Sequence, residues 1–222
     1  MRLALTTLLL LLAAAAPARA APVGITIAGA PRDGAILGED TRIAGVVTRD
    51  GAPLPGQLVT LEGRAHPFDG PFRPRGALVT GRDGGYRFEA RLRRNEDVRV
   101  VTAGGGAASR TLRVYVFPRA TLTAETVRRN VVRLTQTLTV PSNVRLTAPT
   151  RFYLGRSRAE TAPFRVAARP RRVRSGLYRA RASVRVPVRY GGRFSYAACF
   201  RATPGAGLGD PKAGCPRSAF RF

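Results

Sequence analysis

Tryptophan is missing from this chain, and histidine and lysine occur once each among 222 residues. Each scarcity removes a class of function. His66, between Ala65 and Pro67, is the sole imidazole, so serine-histidine-aspartate chemistry would have to use it. The Gly-x-Ser-x-Gly nucleophile elbow does not occur either. Zinc centres draw on clusters of His and Cys, which one histidine and the cysteines Cys199 and Cys215 cannot supply. Without tryptophan, stacking on sugar rings would fall to Phe68, Phe72, Phe152 and Tyr153, and aromatics at strand spacing are more often core. Acids are scarce as well, 13 against 38 basic residues, for a net charge of +25. Asp33, Glu39 and Asp40 lie close enough in sequence to hold calcium with backbone carbonyls, yet three carboxylates in a turn region read first as solvated side chains. Nothing recommends a pair of carboxylates across a sugar cleft, which glycosidases need. The expectation is a protein that is not an enzyme and uses no cofactor and no metal. A secreted hydrolase with a shallow carboxylate site is the alternative from a different class.

Residues 1–20 have the three parts of a cleavable signal peptide. Arg2 supplies a positive charge, Leu3 to Ala16 form the apolar stretch, and Ala18-Arg19-Ala20 gives the small-x-small cleavage pattern. A stretch of about 14 residues falls short of the roughly 20 that cross a hydrocarbon core, although an uncleaved anchor is the competing reading. No cysteine near the cleavage point could carry a lipid, and no later stretch is apolar enough to span a membrane as a helix. The chain is therefore expected to be secreted, extracellular or periplasmic, and to begin at Ala21 once processed. In that setting an even pair of cysteines points to a Cys199–Cys215 disulfide rather than a metal site, two free thiols being the other reading.

All the basic residues except Lys212 are arginine. A GC-rich coding bias produces that ratio, so part of the excess is compositional. The distribution is harder to explain that way. Residues 21–118 carry 14 arginines against 10 acids, whereas residues 119–222 carry 22 basic residues against Glu125, Glu160 and Asp210 alone. Such asymmetry points to an acidic partner for the second half, an acidic envelope polymer or another polyanion such as nucleic acid, with a protein partner also open. The candidate contacts are Arg169, Arg171, Arg172 and Arg174, followed by the stripe Arg179, Arg181, Arg185 and Arg189. Guanidinium groups take phosphate, sulfate and carboxylate in a bidentate way. The bland reading is a solvated sheet face that protects an edge from aggregation.

Helical periodicity is absent after residue 20. Apolar and polar residues alternate instead, broken by Gly, Pro and Asp every ten residues or so, the pattern of a sandwich or barrel. Tyr86, Phe88, Ala90 and Leu92 alternate with charged residues, as do Leu112, Val114 and Val116 with Arg113 and Tyr115. Val132, Leu134, Leu138 and Val140 alternate with Arg133 and Thr135, Thr137 and Thr139, with Gln136 as the flaw in the apolar face. In the longest run, Tyr178, Ala180, Ala182, Val184, Val186 and Val188 are expected to point inward and the arginine stripe outward. The triplets Arg32-Asp33-Gly34, Arg49-Asp50-Gly51 and Arg82-Asp83-Gly84 mark turns, and Asp-Gly favours tight hairpins. Arg64 to Gly76, with three prolines, reads as a long irregular loop, and Gly104-Gly105-Gly106 as a flexible connection to a last strand over Thr111 to Val116. Pro118 is then the expected boundary between a domain over 21–118 and one over 119–222.

Gly45-Val46, Gly51, Pro53, Gly56, Val59 and Leu61, closed by Thr80, Asp83-Gly84, Gly85-Tyr86 and Phe88, make residues 43–101 resemble the carboxypeptidase regulatory-like modules. These are a branch of the prealbumin-like and immunoglobulin-like β-sandwiches. The resemblance implies a sandwich that serves as a non-catalytic appendage or surface repeat, and no functional residues carry over. The second half is immunoglobulin-like only in its alternation, length and cysteine pair. The fold expected is all-β, two immunoglobulin-like antiparallel β-sandwich domains after a signal peptide. The expected function is a structural or interaction role in the cell envelope or outside the cell, with polyanion binding through the arginine face as the alternative. An outer-membrane barrel would explain the terminal Phe222, but the outward arginines would then face lipid or crowd a small lumen.

Overall fold

The computed structural model describes residues 22–31, 34–128, 130–155, 164–185, 195–199 and 205–209. Within them the chain is all β, without an α-helix and with one short 3-10 turn at Ala103–Gly105. The first half contains β1 (Val23–Gly29), β2 (Ala35–Ile36), β3 (Asp40–Arg49), β4 (Ala52–Pro53), β5 (Leu58–Ala65), β6 (Arg73–Val79), β7 (Gly85–Arg91), β8 (Glu96–Thr102), β9 (Leu112–Val114) and β10 (Val116–Phe117). The second half contains β11 (Arg119–Arg128), β12 (Val131–Thr139), β13 (Thr150–Gly155), β14 (Phe164–Ala168), β15 (Arg171–Arg174), β16 (Leu177–Arg185) and β17 (Ser195–Cys199).

Period-two alternation decides how these strands pack. In the first half β3 pairs with β1 on one side and with β4 and β7 on the other, while a second antiparallel sheet runs β6-β5-β8-β9. Ile27, Ile43, Val47, Tyr86 and Phe88 of the one sheet meet Val59, Leu61, Val98 and Val100 of the other in a common core. The Tyr86 hydroxyl crosses over Gly45 to donate to the Thr26 carbonyl at 2.6 Å. A Cβ at position 45 would collide with that same carbonyl, so the glycine is what lets the tyrosine plug this corner. In the second half the sheets run β11-β12-β16-β15 and β14-β13-β17. Leu122, Val132, Leu134, Ala180, Ala182 and Val184 face Phe152 and Ala198 between them. Gln136, out of place in an apolar face, is buried and accepts a hydrogen bond from the Thr150 hydroxyl at 2.9 Å. The pair joins the two sheets, and a buried amide with its partner costs far less than one without.

Several local expectations change. The irregular segment after β5 is only residues 66–72, because Arg73 to Val79 form β6. Pro74 is tolerated there since β6 is an edge strand and needs no donor on its free side. Asp50-Gly51 is a tight hairpin with φ of 52° and 81°. Asp83-Gly84 is not a hairpin, because β6 and β7 belong to different sheets and the turn carries the chain across the sandwich. Gly34 is described, while Arg32 and Asp33 lie outside the described residues. The strand over 111–116 breaks at Tyr115 into β9, paired with β8, and β10, paired in parallel with β2. In β16, Tyr178, Ala180, Ala182 and Val184 are buried and Arg181 and Arg185 exposed, as the alternation requires. Val186, Val188 and Arg189 lie outside the described residues.

The apolar contacts do not stop at Pro118. The first core takes in Leu138, Val140, Val144, Leu146 and Tyr178, and also Leu208, which is 1% exposed. Leu208 arrives on a returning segment, Gly205 to Gly209, fastened by Asn95 in the turn between β7 and β8. The Asn95 backbone N–H donates to the Gly207 carbonyl at 2.6 Å, and its side-chain amide donates to the Gly209 carbonyl at 2.9 Å. Its backbone and side-chain oxygens accept from the N–H groups of His66 and Val116. Gly207 has φ of 65° and lies so close to the His66 side chain that a Cβ would clash.

Leu208→Ala should therefore destabilise the first sandwich, although the residue lies ninety positions beyond Pro118, by about 2–5 kcal/mol as for other buried leucines. Asn95→Asp should retain the acceptor for Val116 and lose the donor to Gly209, with a smaller loss than Asn95→Ala. Chemical denaturation followed by circular dichroism reads both. A Leu208→Ala protein as stable as the parent would show that the returning segment adds nothing to the core.

Candidate functional site

Register brings the arginines of the second half onto the outer face of the β11-β12-β16-β15 sheet, opposite the core. Five rows cross that face. The first is Arg119, Thr139, Leu177 and Arg174; the second is Thr121, Thr137, Arg179 and Arg171. The third is Thr123, Thr135 and Arg181, the fourth is Glu125, Arg133 and Ser183, and the fifth is Arg128, Val131 and Arg185. Arg171 and Arg179 are thus directly opposed across neighbouring antiparallel strands, where like charges repel. With Arg169, Val173 and Arg181 they line an open groove of about 420 Å³.

Not all the sequence candidates meet there. Arg169 and Arg171 line the groove, together with Arg179 and Arg181. Arg174 is one row away, opposite Leu177. Arg172 is opposite the inward-pointing Tyr178, so its side chain leaves from the other side of the edge strand. Arg185 is exposed further along β16, opposite Val131, and Arg189 lies outside the described residues. Cys199 is buried at the end of β17 and Cys215 lies outside the described residues, so the expected bridge between them falls outside as well. Sequence reasoning missed two components of the face. Val173, 50% exposed, lines the groove beside Arg171, whose face it shares two residues along β15. The threonines of β11 share the rows with the arginines, a placement that follows from pairing partners and leaves only the alternation of Thr121 and Thr123 as its trace.

The electrostatics of the two halves contrast sharply. In the first half Asp97, 3% exposed, is held by Arg113 through two contacts at 2.8 and 3.1 Å and by Arg64 at 3.1 Å. Glu96 is buried against Arg75 at 2.7 Å, and Glu62 pairs with Arg99 at 2.8 Å. The loop aromatics Phe68 and Phe72, weighed as sugar platforms, are taken by cations instead. Arg113 lies 3.9 Å from the Phe68 ring centre, and Arg64 and Arg99 lie 4.7 and 4.2 Å from that of Phe72. Phe152 is in the core, and Arg165 lies 5.9 Å from the Tyr153 ring centre. Of the carboxylates weighed for calcium, Glu39 pairs with Arg119 and Asp40 with Arg91. On the outer sheet of the second half, Glu125 binds Arg133 at 2.7 Å. Among the described residues, Arg169, Arg171, Arg179 and Arg181 make no ion pair. In the flanking rows Arg119 and Arg133 are paired, whereas Arg174, among the described residues, is not.

Burial alone would raise the Asp97 pKa, but hydrogen bonds and charge from Arg113 and Arg64 outweigh it and hold the carboxyl below its ordinary value. A lowered folded-state pKa stabilises above the unfolded value of about 3.9, and that stabilisation is lost as pH falls through the folded value. Asp97→Asn should lower stability at pH 7 and flatten the loss of stability below about pH 4. Thermal melts of both proteins from pH 7 down to acid show it; parallel curves would mean that Asp97 does not couple folding to protonation.

No protein-family model matches the chain, and no curated protein does.

Proposed function

We propose that the protein is an exported, non-catalytic interaction module whose second half holds an anionic polymer on the outer face of the β11-β12-β16-β15 sheet. The observation that carries this reading is the opposed pair Arg171 and Arg179, with Arg181 beside it, lining a groove without a carboxylate. Two guanidiniums side by side are costly when unpaired, and an oxyanion between them converts that repulsion into charge-assisted, bidentate bonding. The rest of the molecule supports the reading by contrast, since its buried acids and loop aromatics are spent on its own arginines. In this reading the first half is a carboxypeptidase regulatory-like sandwich that presents the second, residues 1–20 direct export, and a Cys199–Cys215 bridge staples the C-terminal loop.

Binding of this kind weakens with salt as counterions are released, by roughly 0.9 power per phosphate contacted on duplex DNA. Heparin or DNA titrated at several salt concentrations should bind wild type with a steep slope. Arg171→Ser/Arg179→Ser/Arg181→Ser should weaken binding and reduce the slope by about 2–3. Equal slopes and affinities would leave the face as plain solvated sheet.

Export and the staple have their own check. The secreted protein should begin at Ala21, and neither cysteine should react with an alkylating agent until a reductant is added. An N-terminus at Met1, or two labelled thiols in the oxidised protein, refutes the corresponding part.

A further inference from the structure

The outer face is more than a field of positive charge, because the second and third rows, which hold no ion pair among the described residues, have different chemistry at their two ends. Across β11 and β12 they present Thr121 and Thr137, and Thr123 and Thr135; across β16 and β15 they present Arg179 and Arg171, and Arg181. Strands about 4.8 Å apart make the four-residue row roughly 14 Å long, and the two rows lie nearly 7 Å apart. Thr121 and Thr123 are exposed and Thr135 and Thr137 half-buried. Among the described residues none of the four hydroxyls has a side-chain partner. A paired arginine flanks the two rows on either side, Arg119 with Glu39 and Arg133 with Glu125.

We infer that the ligand of this face is an acidic polysaccharide, a chain of hydroxyl-rich rings bearing carboxylate or sulfate, lying across the strands; this rests on the anionic-polymer reading above. Guanidinium groups only donate hydrogen bonds, whereas a threonine hydroxyl both donates and accepts. The arginine end therefore suits the acceptor-only oxygens of a carboxylate or sulfate, and the threonine end suits sugar hydroxyls, which also do both. A phosphodiester backbone offers charged acceptors and leaves the acceptor capacity of four threonines unused. Single-stranded nucleic acid gains much of its affinity by stacking bases on aromatic rings. The sole aromatic residue of these four strands is Tyr178, which is buried and donates its hydroxyl to the Val144 carbonyl.

The experiment compares a uronate oligosaccharide with a DNA duplex of equal charge, at one salt concentration, on the full chain. Thr121→Val/Thr123→Val/Thr135→Val/Thr137→Val removes the hydroxyls and keeps strand-favouring side chains. It should weaken uronate binding by at least about tenfold, the equivalent of one or two neutral hydrogen bonds, and leave DNA binding unchanged. If that variant does not fold, Thr121→Val/Thr123→Val on the exposed edge strand should give the same selectivity at smaller amplitude. Unchanged uronate binding, or equal losses for both ligands, overturns the polysaccharide reading while dependence on Arg171 and Arg179 keeps the anionic-polymer reading intact. DNA binding more tightly than the uronate would assign the face to nucleic acid. Loss of neither ligand in the arginine variant would remove both readings together.

Discussion

Asn95 uses every hydrogen-bonding group it has. Its backbone holds His66 and Gly207 and its side chain holds Val116 and Gly209, so one residue in the turn before β8 fastens the β5–β6 loop, the chain at the boundary of the two halves and a segment returning from near the C-terminus. Gly209 completes the ring by donating to the Val116 carbonyl at 2.8 Å. Burying so many polar groups is tolerable only because each has its partner, and removing one exposes the others to a desolvation cost without compensation. Leu208 enters the first core on the strength of this clasp. The return thereby adds to the ties between the halves made by Phe117-Pro118 and by Leu138, Val140, Val144, Leu146 and Tyr178 in the first core.

The strands beside that clasp show how the molecule lives with so much arginine. Around β8, Arg64, Arg75, Arg99 and Arg113 each meet an acid, and two of them converge on the buried Asp97. Charges that are paired and hydrogen-bonded in this way add rigidity to an edge of the sandwich without leaving a bare ion in a poorly solvated place. Among the described residues the arginines of β15 and β16 have no such partners, and the opposed pair Arg171 and Arg179 stands on the outer sheet face. A face without ion pairs at its centre and a structural network are made here from one kind of side chain. Pairing partners alone separate them.

The threonines give that surface a direction. Repulsion between arginines would be relieved by any anion, whereas a row that changes from hydroxyl to guanidinium over four strands distinguishes one end of a ligand from the other. Paired arginines, Arg119 and Arg133, flank those rows. Long, irregular binding loops are not required for this, since an antiparallel sheet already spaces its outward side chains regularly.

Alternation along single strands was legible without coordinates. It identified an all-β chain and the inward residues of β16, and it showed that Arg179, Arg181 and Arg185 share a face, because side-chain direction in a strand depends only on the neighbouring peptide geometry. The sequence likewise singled out Asp50-Gly51 as a hairpin and Gln136 as an anomaly. The partner of Gln136, the placement of Arg171 beside Arg179, the threonine rows and the departure of Arg172 to the other side all depended on which strands pair and in what register. Such pairings join residues far apart in the chain and shift every side chain to the other face on a one-residue slip. Arg73 to Gly76 looked like the end of a loop because Pro71, Pro74 and Gly76 crowd it, and became the start of β6 because an edge position spares Pro74 a missing donor. The clasp was invisible for a similar reason: Asn95 and Leu208 carry no local pattern, and only the folded chain brings them within hydrogen-bonding distance of one core.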